Sequence, residues 1–285
     1  MTALLEKSLP IKLQQASREL SANMVENGSG SGPHHPFGRT TATVDEFEEL
    51  IDTSEANRLL EANGVDHPEP RVRRFIEAVP DLLKWFESNG RVFPWRRTDD
   101  PWQVYISEIL LQRTRAGTVE DIYQQFFERF PDPATLREAP ETEVKTTIEP
   151  LGFGNQRTRS LRDVARILGA DHDDSVPASR EELQRPWRVG PYSARATLVF
   201  AFDEPLALVD TNTARVIKRV FGYEMPAQPH KSEEVYSLLD ALIPADPELA
   251  RAVNLALLDL AAEICTADTP DCPSCPLNPG CEFAD

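Results

Sequence analysis

Apolar residues recur with helical spacing along most of the chain after residue 70. A repeat near 3.6 residues indicates amphipathic helices, and glycine and proline mark the gaps between them. No alternating strand pattern of convincing length is present, so we predict an all-α fold. The first apolar stripe is formed by Phe75, Ile76, Val79, Leu82, Leu83 and Phe86. Further helices are predicted at about 103–113, 117–130, 142–149, 156–169, 179–185, 191–202, 211–221, 231–243 and 247–264.

Residues 1–70 follow a different pattern. The run 27–36 is rich in Gly, Ser and Pro, and acidic residues surround the few apolar positions. Such a composition is typical of a flexible segment. We therefore predict an acidic, largely flexible extension over 1–70, with one short helix at 44–62, ahead of a folded domain at 71–264.

Length and composition exclude some classes of protein. The chain has 285 residues, of which 40% are hydrophobic, and this is enough for the core of one or two domains. No apolar run has the length of a membrane span. Glu6 and Lys7 interrupt the apolar stretch at the amino terminus, which argues against a secretory signal. We expect a cytoplasmic monomer.

The net charge of −17 argues at first against a nucleic-acid partner, because basic domains are the usual footprint of phosphate binding. The excess is uneven, however. Counting along the sequence gives 16 basic and 15 acidic residues over 71–166, so the arginines concentrate in this stretch and the two ends carry most of the negative charge. The whole chain has 24 arginines and 6 lysines by the same count. An acidic, lysine-poor composition predicts a halophilic protein.

Four cysteines lie close to the carboxyl terminus, at Cys265, Cys272, Cys275 and Cys281. Structural zinc sites usually present two close Cys/His pairs, and only Cys272 and Cys275 make such a pair here. Four thiolates on one loop suit a 4Fe–4S cluster; zinc and four reduced cysteines without a metal are the alternatives. The spacing resembles the cluster loop of the endonuclease III superfamily of DNA glycosylases. The resemblance implies a 4Fe–4S loop at 265–281 that pins the carboxyl terminus onto the fold.

Residues 179–202 are predicted to form helix, short turn and helix. Free backbone N–H groups at the start of the second helix can hold a phosphate without any lysine. The segment resembles the helix-hairpin-helix of the same superfamily, whose turn commonly reads Leu-Pro-Gly-Val-Gly. Val189 and Gly190 match that turn, whereas Trp187 and Arg188 replace the proline and the first glycine. Arg188 is expected to add a direct phosphate contact.

Asp210 follows the buried run Leu208-Val209 and precedes a further helix. It is a natural helix N-cap, and the resemblance implies that it is also the catalytic aspartate. Breaking an N-glycosidic bond builds positive charge on the sugar, and a fixed carboxylate stabilises that charge or aligns the attacking water. The two roles are compatible, because a capped carboxylate is held still.

Tyr192 bears on the reaction type. Bifunctional members of the superfamily place a lysine in the helix after the hairpin, where its amine forms a Schiff base with the sugar. Alignment on Val189 and Gly190 puts Tyr192 at that position, and tyrosine cannot form the imine. We therefore predict a monofunctional glycosylase with little or no strand scission. Lys218, one helix further on, is expected to be a surface residue.

Residues 93–97 and 106–114 resemble the mismatch branch of the superfamily. The resemblance implies that Glu108 protonates the leaving base, and its place beside the apolar face of a helix predicts a raised pKa. Gln112 matches a residue that fills the space left by a flipped nucleotide. Arg113 is expected to contact a nearby phosphate, and the arginines of 71–166 together with the hairpin amides are expected to hold the DNA backbone. The implied fold is two-lobed, and the implied partner is duplex DNA with a mismatched base.

Two target bases remain open. Tyr192, together with residues 111–117 and 154–157, resembles the thymine subfamily, which acts on G·T pairs and would also accept uracil opposite guanine. The chain ends four residues after Cys281, without the further domain by which adenine glycosylases read 8-oxoguanine. Gln112, however, is shared with the adenine enzymes, so an adenine glycosylase acting on A opposite G or 8-oxoguanine is the alternative. A non-catalytic helix-hairpin-helix DNA-binding protein is the alternative from a different class.

Overall fold

The computed structural model describes residues 37–284, and all the regular structure in that range is helical. This confirms the predicted all-α class. The helices are α1 (Val44–Leu50), α2 (Thr53–Ala62), α3 (Glu69–Asn89), α4 (Pro101–Leu111), α5 (Ala116–Arg129), α6 (Pro133–Glu138), α7 (Glu141–Thr147), α8 (Gly154–Asp171), α9 (Arg180–Leu183), α10 (Pro191–Ala201), α11 (Thr211–Phe221), α12 (Glu233–Leu242) and α13 (Pro247–Glu263). No helix among these residues combines the length and the apolar character needed to cross a bilayer.

Local capping explains where the structure departs from the predicted helices. The helix predicted at 44–62 is divided in two, because Asp52 caps α2 by accepting the Glu55 N–H at 2.9 Å. The short helix α6 was not predicted, since its prolines resemble a gap. Asp132 caps it by accepting the Thr135 N–H at 2.7 Å.

Two hydrophobic cores define two lobes. Helices α1–α3 and α11–α13 surround the first core, and α4–α9 surround the second. Helix α10 contributes to both, with Val199 and Phe200 in the first core and Ala194 and Leu198 in the second. Because one helix is shared, the lobes meet along it and leave a cleft at its amino-terminal end.

Residues 37–70 are folded, so the prediction of a flexible extension up to residue 70 is wrong for this part. Phe37 and Phe47 are 4% and 0% exposed. Their rings lie 4.8 Å from Phe86 and 6.4 Å from Phe75, measured between centroids. Residues 37–70 contain few apolar side chains, but these pack against α3 and α12. Residues 1–36, which include the Gly/Ser/Pro-rich run, lie outside the described residues.

A buried ion cluster joins α13 to the segment ahead of α4. Asp259 is fully buried and accepts two hydrogen bonds from the Arg96 guanidinium, each at 2.8 Å. Arg91 donates to the same carboxylate from its backbone N–H and from Nε, both at 2.7 Å. Arg96 was expected to hold a phosphate backbone. It cannot do so, because its charge is already neutralised inside the protein.

The packing of the amino-terminal segment leads to a stability prediction. Phe47→Ala is expected to lower the free energy of unfolding by about 3–5 kcal/mol, because it leaves a cavity in the first core. Urea unfolding measures the change. Glu48→Ala, at the exposed neighbouring position of α1, is the matched control and should change stability by less than about 0.5 kcal/mol. A Phe47→Ala variant as stable as this control would contradict the packing.

Candidate active site

The cleft between the lobes holds a cavity of about 300 Å³. Helix α4 supplies Glu108 and Gln112 at its carboxyl-terminal end, α10 supplies Tyr192, and the start of α11 supplies Asp210. Four residues predicted from sequence therefore face one space, although the first and the last of them are 102 positions apart. Aromatic and aliphatic side chains complete the wall: Phe93, Trp95, Leu111, Phe200, Leu255 and Leu258.

Glu108 lies on an almost wholly buried helix and is itself 6% exposed. Burial raises the pKa of its carboxyl group to about 8, and the nearby charge of Arg96 opposes this rise. Within residues 37–284, no side chain donates a hydrogen bond to this carboxyl group. Glu108 therefore keeps its proton at neutral pH and can donate it.

Asp210 is held as the N-cap of α11. One carboxylate oxygen accepts the N–H groups of Asn212 and Thr213, at 2.8 and 2.7 Å. The other accepts the Asn212 side-chain amide at 2.8 Å. The Thr213 hydroxyl accepts the Asp210 N–H at 2.9 Å and completes a capping box. Both interpretations of Asp210 are thus compatible, because the capped carboxylate also lines the cleft.

The extended segment ahead of Asp210 is fixed by polar groups from three helices. The Leu208 N–H donates to the side-chain oxygen of Asn254 at 2.8 Å. The Ala207 N–H donates to the Asp240 carboxylate at 2.8 Å, and the Ala207 carbonyl accepts from Arg195 Nε at 2.8 Å. Backbone groups that have no strand partner are satisfied in this way. The position of Asp210 is consequently set by the first lobe.

Tyr192 stands in the first turn of α10, on the wall of the cleft. Burial, followed by the charges of Glu108 and Asp210, holds the pKa of its phenol well above the ordinary value. The phenol is therefore neutral at physiological pH. No lysine is among the described residues that line the cleft. Lys218 lies on the surface, as expected, and pairs with Glu224 at 2.9 Å.

The predicted helix-hairpin-helix corresponds to α9, a turn and α10. Gly190 is the N-cap of α10, and a Cβ built there would meet no protein atom within 4 Å. Val189 is buried and anchors the turn. Arg188 has φ of +64°, the left-handed region that usually requires glycine. The chain thus forms this turn with arginine where the superfamily turn has its first glycine.

A second, smaller pocket adjoins the cleft, and the sequence analysis did not identify it. Arg113, Phe153 and Arg188 line it, and all three have positive φ. Strained residues of this kind cluster at functional sites. Phe153 is a half-exposed aromatic side chain, with the Arg113 guanidinium 4.8 Å from its ring centre. Its position between Gly152 and Gly154 was the signal available in the sequence.

Arg157 lies buried beside this pocket and joins its two loops by hydrogen bonds. It is 5% exposed and donates to the Gln112 carbonyl and the Thr114 hydroxyl, both at 2.7 Å. It also donates to the carbonyls of Leu151 and Gly152. The expectation that Arg157 would hold DNA phosphates is therefore wrong, because its guanidinium binds internal carbonyl groups.

The four cysteines line one small cavity after α13 and form no disulfide. Arg219 of α11 donates to Cys265 Sγ at 3.2 Å, and Arg215 donates to the Cys265 carbonyl at 2.9 Å. No group of three or more His, Cys, Asp or Glu side chains among residues 37–284 is arranged around a single metal ion. Four thiol side chains that line one cavity provide the donor set that an iron–sulfur cluster takes.

Comparison with known proteins agrees with this geometry. The family model described as HhH-GPD superfamily base excision DNA repair protein matches residues 106–242. A thymine/uracil-DNA glycosylase of Pyrobaculum aerophilum is 38% identical over 223 residues, which cover 77% of this chain and 94% of that protein. The chain belongs to the HhH-GPD superfamily.

Other HhH-GPD relatives carry different names. An adenine DNA glycosylase of Mycobacterium tuberculosis is 36% identical over 215 residues, covering 74% of this chain and 69% of that protein. A solved structure described as a thermostable thymine-DNA glycosylase matches with a TM-score of 0.70 and 32% identity, covering 77% of this chain and 99% of that one. Membership of the HhH-GPD superfamily is consistent with the helical hairpin and the cleft between two lobes.

The left-handed turn predicts an unusual order of stability. Arg188→Gly is expected to be more stable than Arg188→Ala by about 1 kcal/mol, because only alanine keeps a Cβ in that conformation. Urea unfolding measures both variants. The same pair at Arg166, inside α8, is the control and should give the reverse order by about 1 kcal/mol. Finding alanine favoured at both positions would contradict the strained turn.

Proposed function

We propose that the protein is a monofunctional DNA glycosylase that removes thymine or uracil opposite guanine. The observation that carries this proposal is the meeting of a buried, protonated Glu108 with Asp210 and Tyr192 in one cleft. Binding alone requires no buried carboxyl group, which is costly to maintain. The cleft therefore supports catalysis over the alternative of a DNA-binding module.

The mispaired nucleotide must leave the base stack to reach this cleft. As the bond between C1′ and the base breaks, Glu108 gives its proton to the departing base. The Asp210 carboxylate stabilises the positive charge that develops on the sugar. A water molecule then adds to C1′ and releases one proton to solvent, and a free base and an abasic sugar result. Glu108 afterwards recovers a proton from solvent.

The absence of lysine from the described lining of the cleft supports the monofunctional assignment. A Schiff base at C1′ needs an unprotonated amine within reach of the sugar. Tyr192 offers only a neutral phenol, which binds the base by hydrogen bonds and cannot form an imine. We expect an intact strand with an abasic site as the product.

The assignment of thymine or uracil rests on Tyr192 and on the relatives. The Pyrobaculum protein is named as a thymine/uracil enzyme, and a second relative, from Aeropyrum pernix, is named as a thymine-DNA glycosylase at 37% identity. The adenine alternative keeps the support of the mycobacterial relative and of Gln112. Excision assays separate the two.

The residues of the proposed DNA-binding surface surround the mouth of the cleft. Backbone N–H groups at Gly190 can hold a phosphate at the start of α10. Gln112 and the exposed ring of Phe153 are placed to enter the stack when the nucleotide leaves. Arg113 and Arg188 project beside them and can contact phosphates. This surface uses arginine and backbone amides, so it does not depend on the net charge of the chain.

We also propose that Cys265, Cys272, Cys275 and Cys281 hold a 4Fe–4S cluster. When bound, such a cluster would cross-link the carboxyl-terminal loop to the fold through four thiolate ligands. Arg215 and Arg219 hold that loop against α11, the helix that begins at Asp210. The cysteine loop thereby supports the helix that positions the catalytic carboxylate. Cytoplasmic location, a monomeric state and halophily stay predictions.

The proposed activity predicts excision from one kind of duplex. End-labelled duplexes with G·T, G·U, A·G and A·8-oxoguanine pairs are treated with protein, with and without alkali, in a series of KCl concentrations. We expect the strands that carry T or U opposite G to lose the base, and to break at the abasic site only after alkali. Excision of adenine alone would contradict the thymine/uracil assignment and support the adenine alternative. Nicking without alkali would contradict the monofunctional assignment.

The role of Asp210 is tested on the same duplexes. Asp210→Asn is expected to lower the single-turnover rate by about 100-fold or more, because the sugar cation loses its counter-charge. Asp203→Asn removes the same charge from an exposed loop outside the cleft and should retain the wild-type rate. A fully active Asp210→Asn variant would refute the assignment.

The raised pKa of Glu108 predicts the pH dependence. A group that acts as the acid is competent below its pKa, so the excision rate should fall about tenfold per pH unit above about 8. Glu108→Gln has no proton to give and should be about 100-fold or more slower, without this alkaline decline. Glu128→Gln, exposed on α5, is the control. A wild-type rate that is flat to pH 9.5 would exclude Glu108 as the acid.

A further inference from the structure

A groove rich in arginine lies in the second lobe, outside the cleft. Its volume is about 600 Å³, twice that of the active-site cavity. Four guanidinium groups and two carboxylates, those of Glu141 and Asp163, line it, so basic groups outnumber acidic ones in its lining on a chain of net charge −17. The lining residues are Arg137, Glu141, Asn155, Thr158, Arg159, Arg162, Asp163 and Arg166.

One wall of the groove is a single face of α8. Residues 155, 159, 162 and 166 are spaced by four, three and four positions, which places them on one side of a helix. This stripe spans about 16 Å at a rise of 1.5 Å per residue. Each strand of duplex DNA carries one phosphate about every 3.4 Å along the axis. The stripe is therefore as long as about five base pairs.

The groove continues the proposed DNA-binding surface. Its stripe begins in the first turn of α8, directly after Phe153. Its carboxylate Asp163 accepts the backbone N–H of Trp187 at 2.7 Å, and Arg159 lies 4.3 Å from the Trp187 ring centre. Trp187 belongs to the hairpin turn and precedes Arg188. The groove and the hairpin therefore share one wall.

Several polar groups in the groove remain available to a ligand. Arg159 makes no ion pair within residues 37–284. The Arg166 side chain is 64% exposed and pairs only with Asp163, one helical turn away. Arg162 donates a single hydrogen bond, to the Ala139 carbonyl at 2.8 Å.

The far end of the groove is built around Arg137. It donates to the Asp174 carboxylate and to the Ala165 carbonyl. A Cβ on Gly169 would lie 2.0 Å from Arg137 Nη1, so only glycine at that position lets the guanidinium lie along α8. The arginine is thus held in a defined place at the end of the stripe.

We infer that this groove binds the phosphodiester backbone of duplex DNA on one side of the flipped nucleotide. The inference rests on the DNA binding that the proposed function requires. Guanidinium groups match phosphate oxygens in geometry and carry a permanent charge. The groove leads away from the hairpin in one direction, so it contacts the duplex on one side of the lesion only. It adds contacts where the acidic remainder of the surface would repel DNA.

Duplexes of different length test this inference. A 12-base-pair duplex carries guanine opposite a tetrahydrofuran abasic analogue, and two further duplexes extend it by six base pairs on one side or the other. We expect only one extension to raise the affinity. Its gain should fall about tenfold for a fourfold increase in KCl, as for two additional neutralised phosphates. Because no base is excised, this result does not depend on the outcome of the excision assay.

Charge-matched variants identify the groove. Arg162→Gln with Arg166→Gln should abolish the gain from the extension and leave binding of the short duplex as it was. Arg58→Gln with Lys84→Gln removes two exposed cations from the first lobe and should retain the gain. Lysine at both groove positions should retain most of it, which distinguishes lost charge from misfolding.

Three results would overturn the inference. The first is a gain that survives in the glutamine variant, and the second is an equal gain from both extensions. The third is a variant that alters self-association of the protein without changing DNA affinity, since the groove would then bind a second copy.

Discussion

The structure depends on one helix that belongs to two hydrophobic cores at once. Helix α10 sends Ala194 and Leu198 into the second lobe and Val199 and Phe200 into the first. Its amino terminus is the hairpin turn, and its first turn carries Tyr192 into the cleft. The proposed DNA contact at the turn and the proposed chemistry in the cleft therefore depend on a single helix. A change in the packing of α10 would alter both together.

Two carboxyl groups in the cleft have different environments, and this difference suits them to the different roles that we propose. Glu108 is buried on α4 without a hydrogen-bond donor from a side chain in the described part of the chain, which favours its protonated form. Asp210 caps α11, and its carboxylate accepts hydrogen bonds from Asn212 and Thr213. One group can supply a proton while the other stabilises a cation. Pairs of carboxyl groups with such different environments are a recurring basis of acid catalysis.

Arginine has two separate uses in this protein. Arg96, Arg157 and Arg195 lie inside the fold, where they bind carbonyl groups or a buried carboxylate. Arg159 and Arg166 project from α8 into the groove beside the hairpin. A count of charges along the chain cannot separate the two sets. Position alone decides whether an arginine stabilises the fold or is available to DNA.

The sequence by itself determined the features that depend on local spacing. Helical periodicity predicted most helices to within a few residues. The place of Asp210, between a buried run and a helix, indicated a helix N-cap and was compatible with a catalytic carboxylate. The tertiary structure alone decided the others, because burial depends on partners distant in sequence. Residues 37–70 fold because α3 and α12 pack against their apolar side chains. The pKa of Glu108 is raised because the surrounding protein buries its carboxyl group. Phe153 and Arg113 meet only where separate loops converge, so the two flanking glycines marked Phe153 but not its contact with Arg113.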